Sequence, residues 1–295
     1  MKILFDNYVT LTSSEASYMN GVLSQAGIQS MFWSDKRIST FDMLDSAKPD
    51  VLVTHYRQVT QDLVKYLSNQ SKIDLVLNIG GVTGNEIKSL EQLLDSQNIK
   101  CKLMFSGDVN PVKPNNIKFE EMLPAADIFF PFNPPSGGKK IDYAVVCQSK
   151  DDLVQKFVKD KDVYHVLGVS EGKNDNFDLP INVKTINDIS QIYNQVVLTG
   201  DIRFVTSQLF YDCVLRANKC SVITNPAQEE LWDKHLKKVF NLTEKQEEGS
   251  IKEVLRAQVM QKHTAVSRAS RLMKLLGNSD GMKLVENFKN NIGKR

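Results

Sequence analysis

Two acidic side chains follow runs of strand-type residues, and both have the chemistry of a general base. Glu15 comes a short loop after the run Lys2–Phe5, and Asp108 comes directly after the run KCKLMF, residues 100–105. If both runs belong to one parallel sheet, the two carboxylates reach the same edge, where a carboxylate beside an acceptor hydroxyl can remove its proton. Each also has a structural explanation: Glu15 would stabilise a helix N-terminus, and Asp108 would suit a turn near Pro111.

A third candidate is the stretch QVVLTGDIRFVTSQLFYDCVLRANKCSVITN, residues 195–225. Its two β-rich runs flank an amphipathic segment, which predicts strand, loop, helix and strand. Arg203 falls in the loop after the first run, where an open parallel sheet holds an anionic ligand near the following helix N-terminus. An ordinary βαβ unit with a polar loop has the same pattern, so this stretch alone leaves both interpretations open.

The elements that would position these residues alternate along the chain. Strand-type runs occupy residues 2–5, 29–33, 50–54, 74–81 and 100–105. Helical patterns begin near Ser13 and Ser14 and recur at about 60–69 and 85–96. This alternation predicts an α/β fold with a doubly wound parallel sheet.

The stretch NPPSGGKK, residues 133–140, is the richest in proline and glycine and predicts a domain junction. Strand-type runs then recur at residues 141–147, 163–170, 181–185, 195–199 and 220–224. We therefore predict two similar α/β domains, residues 1–135 and 136–261, with a ligand cleft between them. A long helix is predicted over residues 251–276, followed by a basic, mobile tail, and we expect the C-terminal helix, residues 262–295, to pack back on the first domain.

The composition is that of a globular protein, with 41% hydrophobic and 24% charged residues. The net charge of +2 gives no general attraction to polyanions, so a nucleic-acid partner would need a local basic patch. The four cysteines have neither zinc-ligand spacing nor a disulfide pattern and are interpreted as buried thiols. Because no signal peptide or membrane-spanning run is evident, we expect a cytoplasmic protein without a membrane partner.

Motifs that would indicate other enzyme classes are missing. The sequence has no GxGxxG after its first strand-type run, no GxxxxGK[ST] loop and no GxSxG elbow. This disfavours dinucleotide-binding Rossmann enzymes, P-loop NTPases and α/β-hydrolases. Asp160 and Asp162 form an Asp-x-Asp pair, but they precede a strand and are expected at the opposite edge of the sheet. No metal ligands are predicted, although a divalent ion is compatible with the pattern.

With its two similar α/β halves, the chain resembles the GT-B glycosyltransferases. These enzymes have two facing Rossmann-like domains and bind a nucleotide sugar mainly with the second. The segment SQLFYDCVLRANKCSVIT resembles their donor-binding helix and the strand after it. The resemblance implies that Asp212 contacts the donor, with a UDP-sugar as the expected co-substrate. The segment QKHTAVSRASRLMKLL resembles their C-terminal crossing helix.

A narrower resemblance is to the phage DNA β-glucosyltransferases, which glycosylate hydroxymethylcytosine in duplex DNA. TSSEASYMNGVLSQAGI resembles their first loop and helix, and KLMFSGDVNPV resembles the segment with their catalytic aspartate. This implies that Asp108 is the general base and Glu15 its carboxylate neighbour. CQSKDD corresponds to a phosphate-binding loop, which implies Ser149 and Lys150 as donor contacts, and HVLGVS supplies Gly168 at a nucleotide-approach position.

The donor site departs from that family in one respect. The arginine expected about one turn before Asp212 is absent, and Gln208 lies there instead. Arg203 or Arg216 would have to take its place. We therefore expect the donor specificity to differ from that of the family.

The function implied by the resemblance is inverting sugar transfer to hydroxymethylcytosine in phage DNA, in the host cytoplasm. The candidate DNA contacts are His55, Arg57, Lys113, Lys118, Lys139, Lys140 and the tail 289–295. Each basic segment also fits an ordinary solvated surface. Two alternatives stay open: a GT-B enzyme acting on a protein, spore component or polysaccharide, which the small net charge favours, and a two-domain ligand-binding protein without catalysis.

Overall fold

The chain forms two compact units, Met1–Leu123 with Ala265–Arg295, and Pro124–Thr264. The computed structural model describes residues 1–6, 14–33, 38–70, 72–106, 111–122, 141–147, 164–168, 179–180, 193–199, 219–223 and 264–292. The domain boundaries predicted after residues 135 and 261 lie outside the described residues.

A six-stranded, fully parallel sheet forms the centre of the first unit, in the order β2-β1-β3-β4-β5-β6. Its strands are β1 Ile3–Asp6, β2 Ser30–Trp33, β3 Val51–His55, β4 Asp74–Asn78, β5 Cys101–Ser106 and β6 Phe119–Glu121. The helices between them are α1 Ser14–Gln25, α2 Thr40–Ala47, α3 Gln61–Asn69 and α4 Gly84–Ser96. The four inner strands β1, β3, β4 and β5 are short, largely aliphatic runs with mostly buried side chains, as parallel strands covered on both faces require. The edge strands β2 and β6 are more exposed.

Side-chain caps define where the helices begin. The Thr60 hydroxyl accepts from the Leu63 N–H at the start of α3, and Thr83 forms a reciprocal capping box with Glu86 at the start of α4. These caps satisfy backbone N–H groups that a helix leaves without internal partners. They therefore fix where each helix leaves the carboxyl edge of the sheet.

A short helix and a short strand of the first unit, α2 and β6, were missing from the sequence prediction. Helix α2 begins after Ser39, whose side chain accepts from the Asp42 N–H, and it ends at Lys48 in a left-handed conformation with φ of 46°. With eight residues it is too short to give a clear helical period. Strand β6 has only three residues, and its pairing with β5 defines it as a strand more than any pattern in its own sequence does.

In the second unit, five described strands form another parallel sheet in the order β11-β10-β7-β8-β9. They are β7 Ile141–Cys147, β8 Tyr164–Gly168, β9 Leu179–Pro180, β10 Tyr193–Thr199 and β11 Lys219–Ile223. Among the described strands of this unit, the first, β7, is central, and the later ones lie first on one side of it and then on the other, as in the Rossmann strand order. The strand predicted over residues 181–185 lies outside the described residues.

The C-terminal segment belongs to the first unit and forms two helices, α5 Ala265–Leu275 and α6 Ser279–Ile292. The expectation of a mobile tail was wrong, because most of that tail is the second half of α6. Gly277, with φ of 72°, ends the first helix, and the Asn278 side chain accepts from the Gly281 N–H to start the second. The part of the long predicted helix before residue 264 lies outside the described residues.

Helix α5 packs on α1 and is tied to the edge of the first sheet. The Arg271 guanidinium pairs with Glu120 on β6, and the Lys118 ammonium donates to the Leu275 carbonyl at 3.3 Å. Burial lowers the pKa of Arg271, but a guanidinium stays protonated. The predicted fold class is thus confirmed: α/β, with two Rossmann-like parallel sheets and C-terminal helices that return to the first unit.

Candidate functional site

The strand order of the first sheet defines a switch point between β1 and β3. From β1 the chain turns to β2 on one side and then crosses to β3 on the other. Ligands of open α/β sheets bind outside the carboxyl ends of the strands at such a point. Here those ends carry Asp6 and Thr54, which are 2% and 0% exposed, and the Thr54 hydroxyl donates to Asp6 Oδ2 at 2.9 Å.

His55 connects the ends of β3 and β4 and is 4% exposed. Its Nε2 lies 3.2 Å from the Gly80 carbonyl, and its Nδ1 lies 3.3 Å from the Arg57 N–H. A carbonyl can only accept and a backbone N–H can only donate, so these contacts fit a neutral ring with its proton on Nε2. In this arrangement His55 shapes the sheet edge, and its predicted contact with an acceptor stays a prediction.

Next to His55, three polar side chains from the segments that follow β3 and β4 contact one another. The Tyr56 hydroxyl is within 3.5 Å of Glu86 Oε1, and Arg57 Nε donates to the same hydroxyl at 3.2 Å. The backbone N–H and hydroxyl of Thr83 donate to Glu86 and hold the pKa of Glu86 below its ordinary value, with smaller contributions from Arg57 and Tyr56. The exposed Arg57 is therefore oriented by protein contacts on this edge.

The two predicted catalytic carboxylates follow different strands of this sheet. Glu15 lies in the first turn of α1, which follows β1, while Asp108 follows β5 and lies outside the described residues. Three interstrand steps separate β1 from β5, or roughly 14 Å at about 4.8 Å a step. Both residues follow strands at the same edge, as predicted, and a direct contact between them depends on the loops that carry them.

After Asp108, the segment 111–118 leads to β6. Lys113 and Lys118 in it are exposed, and their predicted contact with an acceptor stays a prediction. The buried Glu91 carboxylate on α4 accepts from the backbone N–H groups of Asn115 and Asn116 at 2.8 and 3.0 Å. Both exposed lysines are thus carried by a segment that is anchored to the unit's core.

The second sheet has its own switch point, between β7 and β10, which are hydrogen-bonded neighbours. Gly168 ends β8 and is in register with Cys147, the last residue of β7. The other predicted donor residues, Ser149, Lys150, Arg203, Gln208 and Asp212, lie outside the described residues, as do Lys139 and Lys140. In sequence, Ser149 and Lys150 come directly after β7, and Arg203 comes four residues after the end of β10.

The described part of the chain has no features that indicate a metal site, a reactive thiol or a membrane span. There, no three His, Cys, Asp or Glu side chains are grouped as metal ligands. Burial raises the pKa of the Cys101 thiol to about 12, so this cysteine is a poor nucleophile. Among the described helices, none combines the length and the apolar character that crossing a bilayer requires.

Sequence reasoning missed four residues of this edge: Asp6, Thr54, Tyr56 and Glu86. Asp6 was assigned to a loop, although it closes an aliphatic run, which is a usable signal for a buried strand end. Glu86 was detectable as the third residue after Thr83 in a capping-box pattern. Thr54 and Tyr56 flank His55 in sequence, but their hydrogen-bond partners lie at or after the ends of other strands.

Neither a protein-family model nor a curated protein matches the sequence. Among solved structures, this chain is similar to SsfS6, a glycosyltransferase of Streptomyces sp. SF2575, with a TM-score of 0.48 and 10% sequence identity. The match covers 93% of this chain and 99% of that one. The fold assignment rests on the strand orders of this chain's own sheets.

Proposed function

We propose that this chain is a GT-B glycosyltransferase that moves a sugar from a nucleotide-sugar donor, expected to be a UDP-sugar, to hydroxymethylcytosine in phage DNA. The hydroxyl oxygen of the modified base attacks the anomeric carbon as Asp108 takes its proton. The bond from the anomeric carbon to the phosphate oxygen breaks, and the nucleoside diphosphate leaves with the electron pair. Attack opposite the leaving group inverts the anomeric configuration.

The observation that carries the proposal is the strand order of the second sheet. Residues that follow β7 and β10 start from neighbouring strand ends at a switch point, where a Rossmann-like sheet binds nucleotides. Ser149 and Lys150 follow the first of these strands and Arg203 the second. The order therefore supports a donor diphosphate held by Lys150 or Arg203 through charge-assisted hydrogen bonds. Gly168, at the end of β8, supports a close approach of the nucleotide.

The first sheet supports acceptor chemistry at its carboxyl edge. Asp108 follows β5 and Glu15 begins α1, so both belong to that edge. General-base assistance accelerates such a proton transfer by about 10²- to 10⁴-fold. The exposed Lys113 and Arg57 on the same unit would contact the acceptor's phosphates.

A second candidate is the same reaction on a protein, spore component or polysaccharide. Two observations favour it: the net charge is only +2, and Lys118 is engaged with the Leu275 carbonyl. Strong DNA binding requires several cations that neutralise phosphates. Salt dependence separates the two candidates, since affinity for hydroxymethylated duplex should fall steeply with salt if DNA is the acceptor.

The deciding experiment incubates the purified chain with a panel of nucleotide sugars and either hydroxymethylcytosine duplex or the matched cytosine duplex. Mass spectrometry of the DNA then detects each added sugar, and the anomeric configuration of the product tests inversion. We expect transfer from one UDP-sugar to the hydroxymethylated duplex alone. Donor hydrolysis without transfer to DNA would favour the second candidate. A chain that binds a nucleotide sugar but neither transfers nor hydrolyses it would favour a ligand-binding protein without catalysis.

A further inference from the structure

The connection from β5 to β6, residues 107–118, is the segment that begins with the proposed base. Parallel neighbours are usually joined by a crossover that contains a helix, which satisfies its own backbone groups. The described part of this connection, residues 111–118, contains no helix. Its backbone N–H groups are therefore satisfied by water or by acceptors from elsewhere in the fold.

Glu91 supplies those acceptors at two consecutive residues. Its Oε1 accepts from the backbone N–H groups of Asn115 at 2.8 Å and Asn116 at 3.0 Å. Its Oε2 lies 3.4 Å from the Asn115 side-chain amide nitrogen. Hydrogen bonds to a charged acceptor are stronger and more directional than those between neutral groups.

The position of Glu91 on α4 would ordinarily hold an aliphatic residue. It lies on the buried stripe formed by Ile87, Leu90 and Leu94, and it is only 5% exposed. Burying a carboxylate costs free energy unless hydrogen bonds compensate it. Here the compensating donors all come from Asn115 and Asn116, so the carboxylate links the core-facing side of α4 to this one segment.

We propose that Glu91 is a positioning residue for the sugar transfer, which it serves by anchoring the far end of the segment that begins at Asp108. This role rests on the proposed function. The near end of the segment is fixed at Ser106, whose carbonyl accepts from the Met122 N–H at 2.8 Å. We call the hydrogen bonds from Asn115 and Asn116 to Glu91 the clamp. Val112 lies between the two anchors and packs on the apolar core, and Ile117 packs on it after the clamp. Apolar contacts are non-directional, so they do not fix a backbone direction.

Two substitutions at Glu91 distinguish the effect of its hydrogen-bond acceptors from the effect of its negative charge. Glu91→Ala removes both acceptor oxygens, whereas Glu91→Gln keeps Oε1, the atom that receives both backbone hydrogen bonds. If Glu91→Ala fails to fold, Glu91→Met keeps the length and apolar packing of the side chain without an acceptor. Asp95→Ala, at an exposed position of the same helix, is the matched control.

Two measurements are compared across these variants: amide hydrogen exchange at Asn115 and Asn116, and steady-state transfer kinetics. In Glu91→Ala we expect exchange at these amides to become about 10- to 100-fold faster, as for loss of a hydrogen bond to a charged acceptor. We also expect kcat to fall by about 10- to 100-fold, because a small misplacement of a reacting group has effects of this size. The donor KM should stay within about twofold, and Asp95→Ala should resemble the wild type. Glu91→Gln, which keeps the acceptor oxygen without the charge, should lie closer to the wild type than Glu91→Ala does.

Unchanged exchange in Glu91→Ala would overturn the clamp. Faster exchange with an unchanged kcat would overturn the positioning role, as would a Glu91→Gln variant that is as slow as Glu91→Ala. A wild-type chain that transfers no sugar would overturn the proposed function and this role with it. In that case the exchange comparison would still decide separately whether Glu91 holds the segment.

Discussion

Thr54 and Asp6 form a buried pair that joins the carboxyl ends of two neighbouring strands. The Thr54 hydroxyl donates to Asp6 Oδ2 at 2.9 Å, and neither residue is more than 2% exposed. A buried carboxylate needs such donors, because its desolvation is otherwise uncompensated. The pair lies at the switch point of the first sheet, where a ligand of an open α/β sheet would bind.

Replacing Thr54 by valine should destabilise the first unit. The substitution keeps the side-chain volume but removes one donor to buried Asp6, and we expect a loss of about 1–3 kcal/mol in the free energy of unfolding. Of the chain's two tryptophans, Trp33 lies in the first unit and Trp232 in the second. In a Trp232→Phe background, urea unfolding followed by Trp33 fluorescence therefore reports on the first unit. Thr54→Ser keeps the hydroxyl and loses only a methyl group, and a valine variant as stable as the wild type would contradict the prediction.

Replacing Asp108 by asparagine should slow the proposed transfer. Asparagine has a similar shape but cannot accept the acceptor's proton, so we expect turnover to fall by about 10²- to 10⁴-fold. Donor affinity, measured by calorimetry with the nucleotide sugar, should change little. Asp95→Asn, which alters an exposed carboxylate on α4, is the control. A variant with wild-type turnover would remove Asp108 from the mechanism.

The capping carboxylate Glu86 should make the stability of the first unit depend on pH. Thr83 holds the pKa of Glu86 below its ordinary value of 4.5 in the folded chain. Its contribution is therefore fully present above about pH 5 and is lost as the pH falls through the folded-state pKa. Glu86→Gln, which resembles the protonated form, should be less stable than the wild type near neutral pH, and the difference should shrink below about pH 4. Urea unfolding of both proteins across this range measures it, and a difference independent of pH would contradict it.

The C-terminal helices should contribute to the stability of the first unit as part of its core. Leu272 on α5 is 1% exposed, whereas Leu284 on α6 is 43% exposed. Leu272→Ala should lower the free energy of unfolding by about 2–5 kcal/mol, because it leaves a cavity in a packed interface. Leu284→Ala should change it by less than about 0.5 kcal/mol. If Trp33 fluorescence reports the same midpoint for both variants, α5 does not stabilise this unit.

Most of the strands could be predicted from short windows of the sequence. The runs that became β1, β3, β5, β7 and β10 are short, aliphatic and bounded by polar or glycine residues, and such runs form strands wherever they are buried. Their alternation with helical patterns predicted two parallel sheets. Helix α6 was not predicted as a separate helix, because its polar sequence resembles a solvated tail. Its buried Val285 and its packing on α5 depend on the tertiary structure.

The sequence by itself determined the α/β class, the type of most elements and the strands after which Glu15, Asp108, Ser149 and Arg203 come. These depend on local periodicity and on residue types, which the sequence displays directly. Only the tertiary structure decided the strand orders, and with them which strand ends are neighbours. It paired Asp6 with Thr54, 48 residues away, and Glu91 with Asn115, 24 residues away. Such partners are set by the order and crossing of strands, which no short window of sequence contains.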